Sequence, residues 1–267
     1  MELGSTPIDT STPHPARRYN YWLGGKDNFA ADRESGDQIA AAQPSVRLWA
    51  LENRGFLRRA VGYLAREAGI RQFLDIGTGL PTADNTHEVA QRIAPASRVV
   101  YVDNDPLVMV HARALLTSTP EGRTSYLEAD LRRPQDILTN DDLTQVLDLT
   151  QPVALMLIAV VHFVKDDDTE AGAHRLVREL VKALPSGSYL AMSHVTDDFL
   201  SESERIQIAQ LGRKTPYQLR TRDQFGEFFA GLDLVDPGVT VISDWRPRGP
   251  RPDPTDIGCY GAVGRVP

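Results

Sequence analysis

From residue 72 onward, short apolar runs alternate with longer segments whose apolar positions recur every three or four residues. The runs predict strands at 72–76, 98–103, 124–128, 153–161 and 189–194. The periodic segments predict helices at 82–93, 106–118, 141–148, 169–184 and 221–230, with another inside 200–212. Alternation of this kind is the pattern of βαβ units around a mostly parallel sheet. VALMLIAVV (153–161) is apolar at every position, as a central strand covered on both faces must be. The tail differs. LVDPGVTVISDW (234–245) and IGCYGAVGRV (257–266) read as two strands of an antiparallel hairpin closing one edge of the sheet. The basic, proline-rich RPRGPRPDP (246–254) is expected to connect them, and a position beside the substrate is its alternative.

Upstream lie two helical stretches. The first falls within 20–42 and is expected to break at Gly24-Gly25. The second, 44–69, places Val46, Trp49, Phe56, Leu57, Val61 and Leu64 near helical spacing, with Gly69 as a natural C-cap. Before them, MELGSTPIDTSTPHPARR lacks the apolar core of a signal peptide. The expected division is a flexible leader (1–15), a helical cover or lid (16–69) and a core (70–267).

Composition narrows the function classes. With 41% hydrophobic and 24% charged residues, the chain is that of a packed globular protein. A net charge of −7 argues against a nucleic-acid partner, which calls for a basic face. No apolar run approaches the ~18 residues of a membrane span. One cysteine, Cys259, permits no internal disulfide, which suits a reducing cytoplasm. The histidines show no metal-ligand spacing, and KDDDTE (165–170) reads as a solvated helix start, so no metal is expected.

The polar residues at the strand ends carry the chemistry. In an open α/β sheet, ligands sit at the carboxyl ends of the strands. There the sequence sets Asp75 before Gly77-Thr78-Gly79, then Asp103-Asn104-Asp105, then Asp130-Leu131, then His162 and His194. A dinucleotide would want a third glycine where Thr82 stands, and amide donors facing its pyrophosphate where Pro81 removes one. Asp75 would oppose those phosphates. S-adenosylmethionine (SAM) has no phosphate and carries an ammonium, a sulfonium, a ribose diol and an adenine. Asp75 can hold the ammonium, Asp103 the ribose hydroxyls and Asp130 the adenine amino group, while the glycines admit a close backbone approach.

These motifs resemble those of class I SAM-dependent methyltransferases: DIGTGLPT their first, YVDNDP their acidic second-strand motif and EADL their third. HRLVRELVKALPSGSYLAMSH is similar to their helix–turn–strand before the fifth strand. ARRYNYWLGGKDNFAADRE, FLDIGTGLPT and VVYVDNDPLVMVHARALL together resemble an actinobacterial group of methyltransferases long held as a domain of unknown function. The resemblance implies a Rossmann-like α/β fold with a seven-stranded, mostly parallel sheet and helices on both faces. It also implies methyl transfer from SAM, and it supplies no substrate.

RRYNYWLGGKDNF (17–29) packs Tyr19, Tyr21, Trp22 and Phe29 around the glycine pair. Two readings stand: aromatics pinning the first helix to the sheet, or a lid in which Tyr21 flanks the cofactor. Arg17, Arg18 or Lys26 would then meet its carboxylate or an acidic acceptor. An oxygen or nitrogen acceptor must also lose a proton, and His162, then His194, are the candidate bases. The expected activity is methylation of a small molecule. A SAM-binding regulator without activity and a nicotinamide-dependent oxidoreductase are the alternatives, and a homodimer is one option for assembly.

Overall fold

The computed structural model describes residues 9–115, 117–166, 172–211 and 217–267. Three helices come first: α1 (Pro15–Trp22), α2 (Ala30–Ala42) and α3 (Val46–Arg66). The break between α1 and α2 falls at the glycine pair, with Gly24 at a φ of +80°. The alternating region follows as β1 (Gln72–Ile76), α4 (Thr86–Ile93), β2 (Arg98–Asp103), α5 (Pro106–Leu115), β3 (Arg123–Glu128), α6 (Pro134–Leu138), α7 (Asp141–Thr144), β4 (Ala154–Ile158), α8 (Ala173–Lys182) and β5 (Tyr189–Val195). Then come α9 (Glu202–Leu211), α10 (Arg222–Gly226), β6 (Asp233–Leu234), β7 (Thr240–Val241) and β8 (Cys259–Arg265).

The sheet order is β3-β2-β1-β4-β5-β8-β6, with β7 also on β8. β1 to β5 are parallel and β8 runs antiparallel to β5. The register brings Asp75 beside Tyr101 and Met156, Asp103 beside Glu128, and Ile158 beside Ser193. The strand ends that carry polar residues therefore lie along one edge. The order reverses between β1 and β4, which opens a crevice there.

Several boundaries depart from expectation, each for a local reason. The seven-stranded sheet has eight strands, because β6 and β7 share the seventh position along β8. A single strand over 234–245 does not form: Pro237 has no N–H to donate, Gly238 turns the chain at a φ of +78°, and Ile242–Asp244 coils into a 3-10 turn. β4 stops at Ile158 because Ala159 takes a left-handed φ of +54°, and a 3-10 turn, Val161–Phe163, follows. α4 starts at Thr86 rather than 82. Asn85 Oδ1 accepts from the Thr82 amide, and Glu88 reaches back to the Asn85 amide (2.8 Å), closing the turn ahead of the helix. The expected helix over 141–148 is the single turn α7, and that over 221–230 is α10 followed by a 3-10 turn, Glu227–Phe229. The expected helix over 169–184 is seen from Ala173, and 167–171 lie outside the described residues.

β4 is buried throughout, as an all-apolar central strand requires. α3 crosses one face of the sheet with Phe56, Ala60, Val61 and Leu64 wholly buried along one stripe. Phe56 meets the buried Trp245 edge-on at 5.5 Å, which ties the helix to the tail. Such an aromatic pair contributes about 0.5–1.5 kcal/mol beyond its area. No helix among the described residues is long and apolar enough to cross a membrane.

Candidate active site

Two cavities lie side by side at the carboxyl edge. The first, about 330 Å³, sits over the ends of β1, β2 and β4. Its floor is the glycine loop. Gly77 and Gly79 take φ values of +75° and +69°, and a Cβ on Gly77 would fall 2.3 Å from the Val160 side chain. Only glycine meets both demands. The loop is sewn to β2: the Gly77 amide donates to Val102 (2.8 Å) and the Gly79 amide to Asp103 Oδ2 (2.8 Å).

Asp75, Gly77, Thr78, Gly79, Asp103, Asn104, Asp130 and Leu131 all line this cavity. Asp75 is buried and accepts from Thr86 Oγ1 at 2.6 Å. Burial pushes its carboxyl up to about 6, with Thr86 and Arg54 pulling the other way and Asp103 adding to the rise. Burial also raises Asp103, opposed by the amides of Asp105 and Gly79. Two buried acids under this strain favour a cationic ligand. Asp130 differs. Burial raises it, but the guanidinium of Arg132, 2.6–3.1 Å away, outweighs burial and holds it below the usual range.

The roof comes from the N-terminal segment. His14, Pro15, Ala16 and Tyr19 line the cavity, so the stretch read as a leader reaches the site at its end. Arg17 grips Asp105 through two 2.9 Å bonds and donates to the Asp9 carbonyl, and His14 Nδ1 lies 3.1 Å from the same carboxylate. Arg17 is therefore committed to Asp105, and Lys26 is exposed. The arginines on the cofactor wall are instead Arg132, paired with Asp130, and Arg54 of α3, which also donates to the carbonyls of Ala83 and Asp84.

The second cavity, about 350 Å³, shares Pro15, Tyr19, Asn53, Ala159 and Phe163 with the first. Hydrogen bonds stiffen this partition. Asn53 donates to the Tyr19 hydroxyl (3.0 Å) and accepts from Ser193 Oγ (2.6 Å). The Tyr19 hydroxyl donates to the Ala50 carbonyl (3.0 Å), and Ser193 Oγ accepts from the Ala159 amide (3.0 Å). Beyond the partition the walls are Trp22, Ile39, Val46, Trp49, Leu200 and Leu219, with Arg18, Gln43, His162 and Thr196 as polar points.

The structure corrects four expectations. Tyr21 touches neither cavity: its hydroxyl donates to Asp37 (2.9 Å) and the Arg47 guanidinium lies 5.1 Å over its ring. Arg18 faces the second cavity rather than the cofactor cavity and donates to Ser35 Oγ. His194 also lines neither cavity. Its Nδ1 lies 2.7 Å from the Val195 carbonyl and its Nε2 2.6 Å from Arg220, whose guanidinium also binds Asp166. With both ring nitrogens engaged, it is a bracing group. The loop 246–254 is the expected connection between the antiparallel β7 and β8; it lines neither cavity and is held by Arg246 on Glu67 and Arg251 on Asp244.

His162 does line the second cavity, but not as a base suited to neutral pH. Burial, then the charges of Arg220 and Arg18, push its imidazole down to about 3. It is neutral, and its buried Nδ1 has no protein partner. Asn53, Arg54, Gln43 and Thr86 escaped the sequence reading. Asn53 alone left a signal: a polar residue in the apolar stripe between Trp49 and Phe56. Among the described residues, no group of three or more metal-ligating side chains gathers.

A strand order of 3-2-1-4-5 with an antiparallel strand beyond, and acids at the ends of β1 to β3 around a glycine loop, define a class I SAM-dependent methyltransferase. All 267 residues match the sequence profile described as S-adenosyl methyltransferase. The chain belongs to that family. It is 49% identical to a DUF574 family protein of Streptomyces avermitilis, with a TM-score of 0.91 over 98% of this chain and 100% of that one. It is 38% identical to a Thermobifida fusca protein named as a candidate methyltransferase, with a TM-score of 0.88 over 99% of each. An O-methyltransferase family protein of Burkholderia thailandensis shares only the fold, at 15% identity and a TM-score of 0.52 over 86% of this chain and 59% of that one. No curated protein matches the sequence.

Proposed function

We propose that this enzyme moves the methyl group of SAM to an oxygen or nitrogen of a small molecule held in the second cavity, in the cytoplasm. One observation carries the reading: a mainly apolar chamber abuts the cofactor cavity across Tyr19, Asn53, Ala159 and Phe163. A SAM sensor needs no such chamber, and the charge of −7 disfavours a nucleic-acid acceptor.

In this reading Asp75 takes the ammonium and Asp103 the ribose hydroxyls. Asp130, Asn104 and Leu131 frame the adenine, and the 77–79 backbone lies along the methionine portion. SAM supplies a methyl group already activated by its sulfonium. The chain's task is alignment and exclusion of water. Residues 16–69 serve as the cover, with Tyr19 and Asn53 fixing the boundary across which donor and acceptor meet. His162 orients the acceptor through a neutral ring nitrogen.

The test pairs calorimetric titration of SAM with mass detection of S-adenosylhomocysteine across a panel of alcohols, phenols and amines. Binding with acceptor-dependent product supports the proposal. Binding with no product from any acceptor class defeats it, as would flat heats at millimolar SAM.

A further inference from the structure

The amino-acid end of SAM is the part of the ligand that the cover can read, and this inference rests on the methyltransferase reading above. That end carries an ammonium and a carboxylate on one carbon, so a site that recognises it needs an acid and a cation side by side. The cofactor cavity holds three acids, and two of its basic groups are already engaged. Arg132 closes on Asp130 at 2.6 Å, and His14 lies 3.1 Å from Asp105, with burial pulling its imidazole down from the ordinary value. Arg54 differs. Its guanidinium bonds only to backbone among the described residues: Nη2 donates to the carbonyls of Ala83 (3.1 Å) and Asp84 (2.9 Å). The Asp84 carboxylate beside it is taken by Arg58 (3.2 Å) and Arg92 (2.6 Å). Arg54 therefore stands half-buried on the cavity wall, tethered by one nitrogen, with Nε and Nη1 left for a ligand.

Asp75 is its complement. Oδ2 of Asp75 accepts from Thr86 Oγ1 at 2.6 Å, and the other oxygen makes no hydrogen bond among the described residues. The two charges feel each other: burial raises the Asp75 carboxyl, and Thr86, then Arg54, draw it back. No hydrogen bond or ion pair joins Arg54 to Asp75 directly, so both keep bonding capacity toward the cavity they share. A zwitterion suits that arrangement, its ammonium toward Asp75 and its carboxylate toward the planar fork of Arg54. Arg54 also follows Asn53 on α3, so one turn of that helix carries both this cation and the partition toward the second cavity.

We propose that Arg54 receives the carboxylate of the cofactor and sets its specificity. Together with Asp75, which Thr86 holds in place, it selects an adenosyl ligand that ends in an amino acid over one that ends in a bare amine or a methyl group. The helical cover is then part of the cofactor site and more than a shield against water.

The test is calorimetry on the full chain with three probes: SAM, decarboxylated SAM, which keeps the ammonium and lacks the carboxylate, and methylthioadenosine, which lacks both. SAM is expected to bind about thirtyfold tighter than its decarboxylated form, the size of a hydrogen bond between charged groups. Arg54→Gln should shrink that ratio to about threefold or less by weakening SAM alone. Arg54→Lys supplies a point charge without the fork and should keep part of the ratio. Asp75→Asn should weaken SAM and decarboxylated SAM together. Methylthioadenosine should bind the wild type and all three variants alike, which a general collapse of the cavity would not allow. Should Arg54→Gln fail to fold, the ratios of the wild type and of Arg54→Lys decide in the same way. Flat heats for all three probes with the wild type defeat the methyltransferase reading itself. SAM binding matched or exceeded by its decarboxylated form, a ratio that Arg54→Gln leaves intact, or decarboxylated SAM indifferent to Asp75→Asn each overturns this assignment while that reading stands.

Discussion

The two cavities share a partition but are built from opposite materials. The cofactor cavity is framed by loops that leave consecutive strands, and three carboxylates line it. The second is framed mainly by helices α1 to α3 and by segments after β4 and β5, and its wall is apolar with a buried cation. Their titrations also run in opposite senses. Burial raises Asp75 to about 6, so its charged form is penalised until a cation arrives. Burial drives His162 to about 3, so its charged form is denied. One chamber is poised to receive positive charge, the other to remain dry. The lesson is that a low dielectric does different work depending on the sign of the group it surrounds.

The sharpest way to break this contrast is at the floor of the first cavity. Gly77→Ala combines a left-handed φ with a Cβ driven into Val160, and should cost about 2–5 kcal/mol in urea unfolding. Val160→Ala in the same chain should restore part of that loss. No loss at all would show that the loop is free to move.

Next in size is Asp103→Asn. It keeps the shape but removes the charge that accepts from Gly79, and SAM affinity should fall roughly thirtyfold, ~2 kcal/mol, by calorimetry. Stability in urea should hold; if it falls together with SAM affinity, the loss comes from the glycine loop and not from the charge.

Acid tests the other side. Because the folded pKa of His162 lies below its unfolded value of about 6.5, the unfolded chain takes up protons first. Stability is fully present above pH 6.5 and is lost as pH falls toward 3. Between pH 7 and 5 the loss from this group should be about 2 kcal/mol. His162→Phe should lose less over that interval, with SAM affinity unchanged, as read by urea titrations at both pH values. An equal acid loss in both proteins would remove His162 from the account.

The smallest effect is a proton count. Asp75 has the opposite sign: its raised pKa makes the folded chain hold a proton between pH 4 and 6, and stability from this group falls as pH rises through that window. An ammonium placed beside it should restore ionisation. SAM binding near pH 5.5 should therefore release a fraction of a proton, and near pH 8 none. Calorimetry in buffers of different ionisation enthalpy reads this directly. Proton uptake instead of release would place the ammonium elsewhere.

Much of the first cavity was legible because its chemistry is local. Asp75, Gly77 and Gly79 lie within one turn, and the ends of β1 to β3 carry their acids as consecutive marks in the text. Alternating strands and helices then fix which edge those marks share. The second cavity was legible only in fragments. Gln43 closes a helix, Asn53 sits on an otherwise apolar stripe, and Leu200 and Leu219 lie far apart along the chain. Nothing local says that they meet. His162 and His194 look alike in sequence, each just past or within a strand. One ends with a nitrogen unpaired in a chamber and the other with both nitrogens engaged.

What the sequence determined by itself was the parallel architecture, the glycine loop and the order of acids at the strand ends, since strand periodicity and φ preferences act over a few residues. What only the tertiary structure decided was the second chamber, the reassignment of Arg18, Tyr21 and His194, and the protonation of the buried groups. Burial and charge in a folded interior depend on neighbours brought from distant parts of the chain, and no short stretch of text contains them.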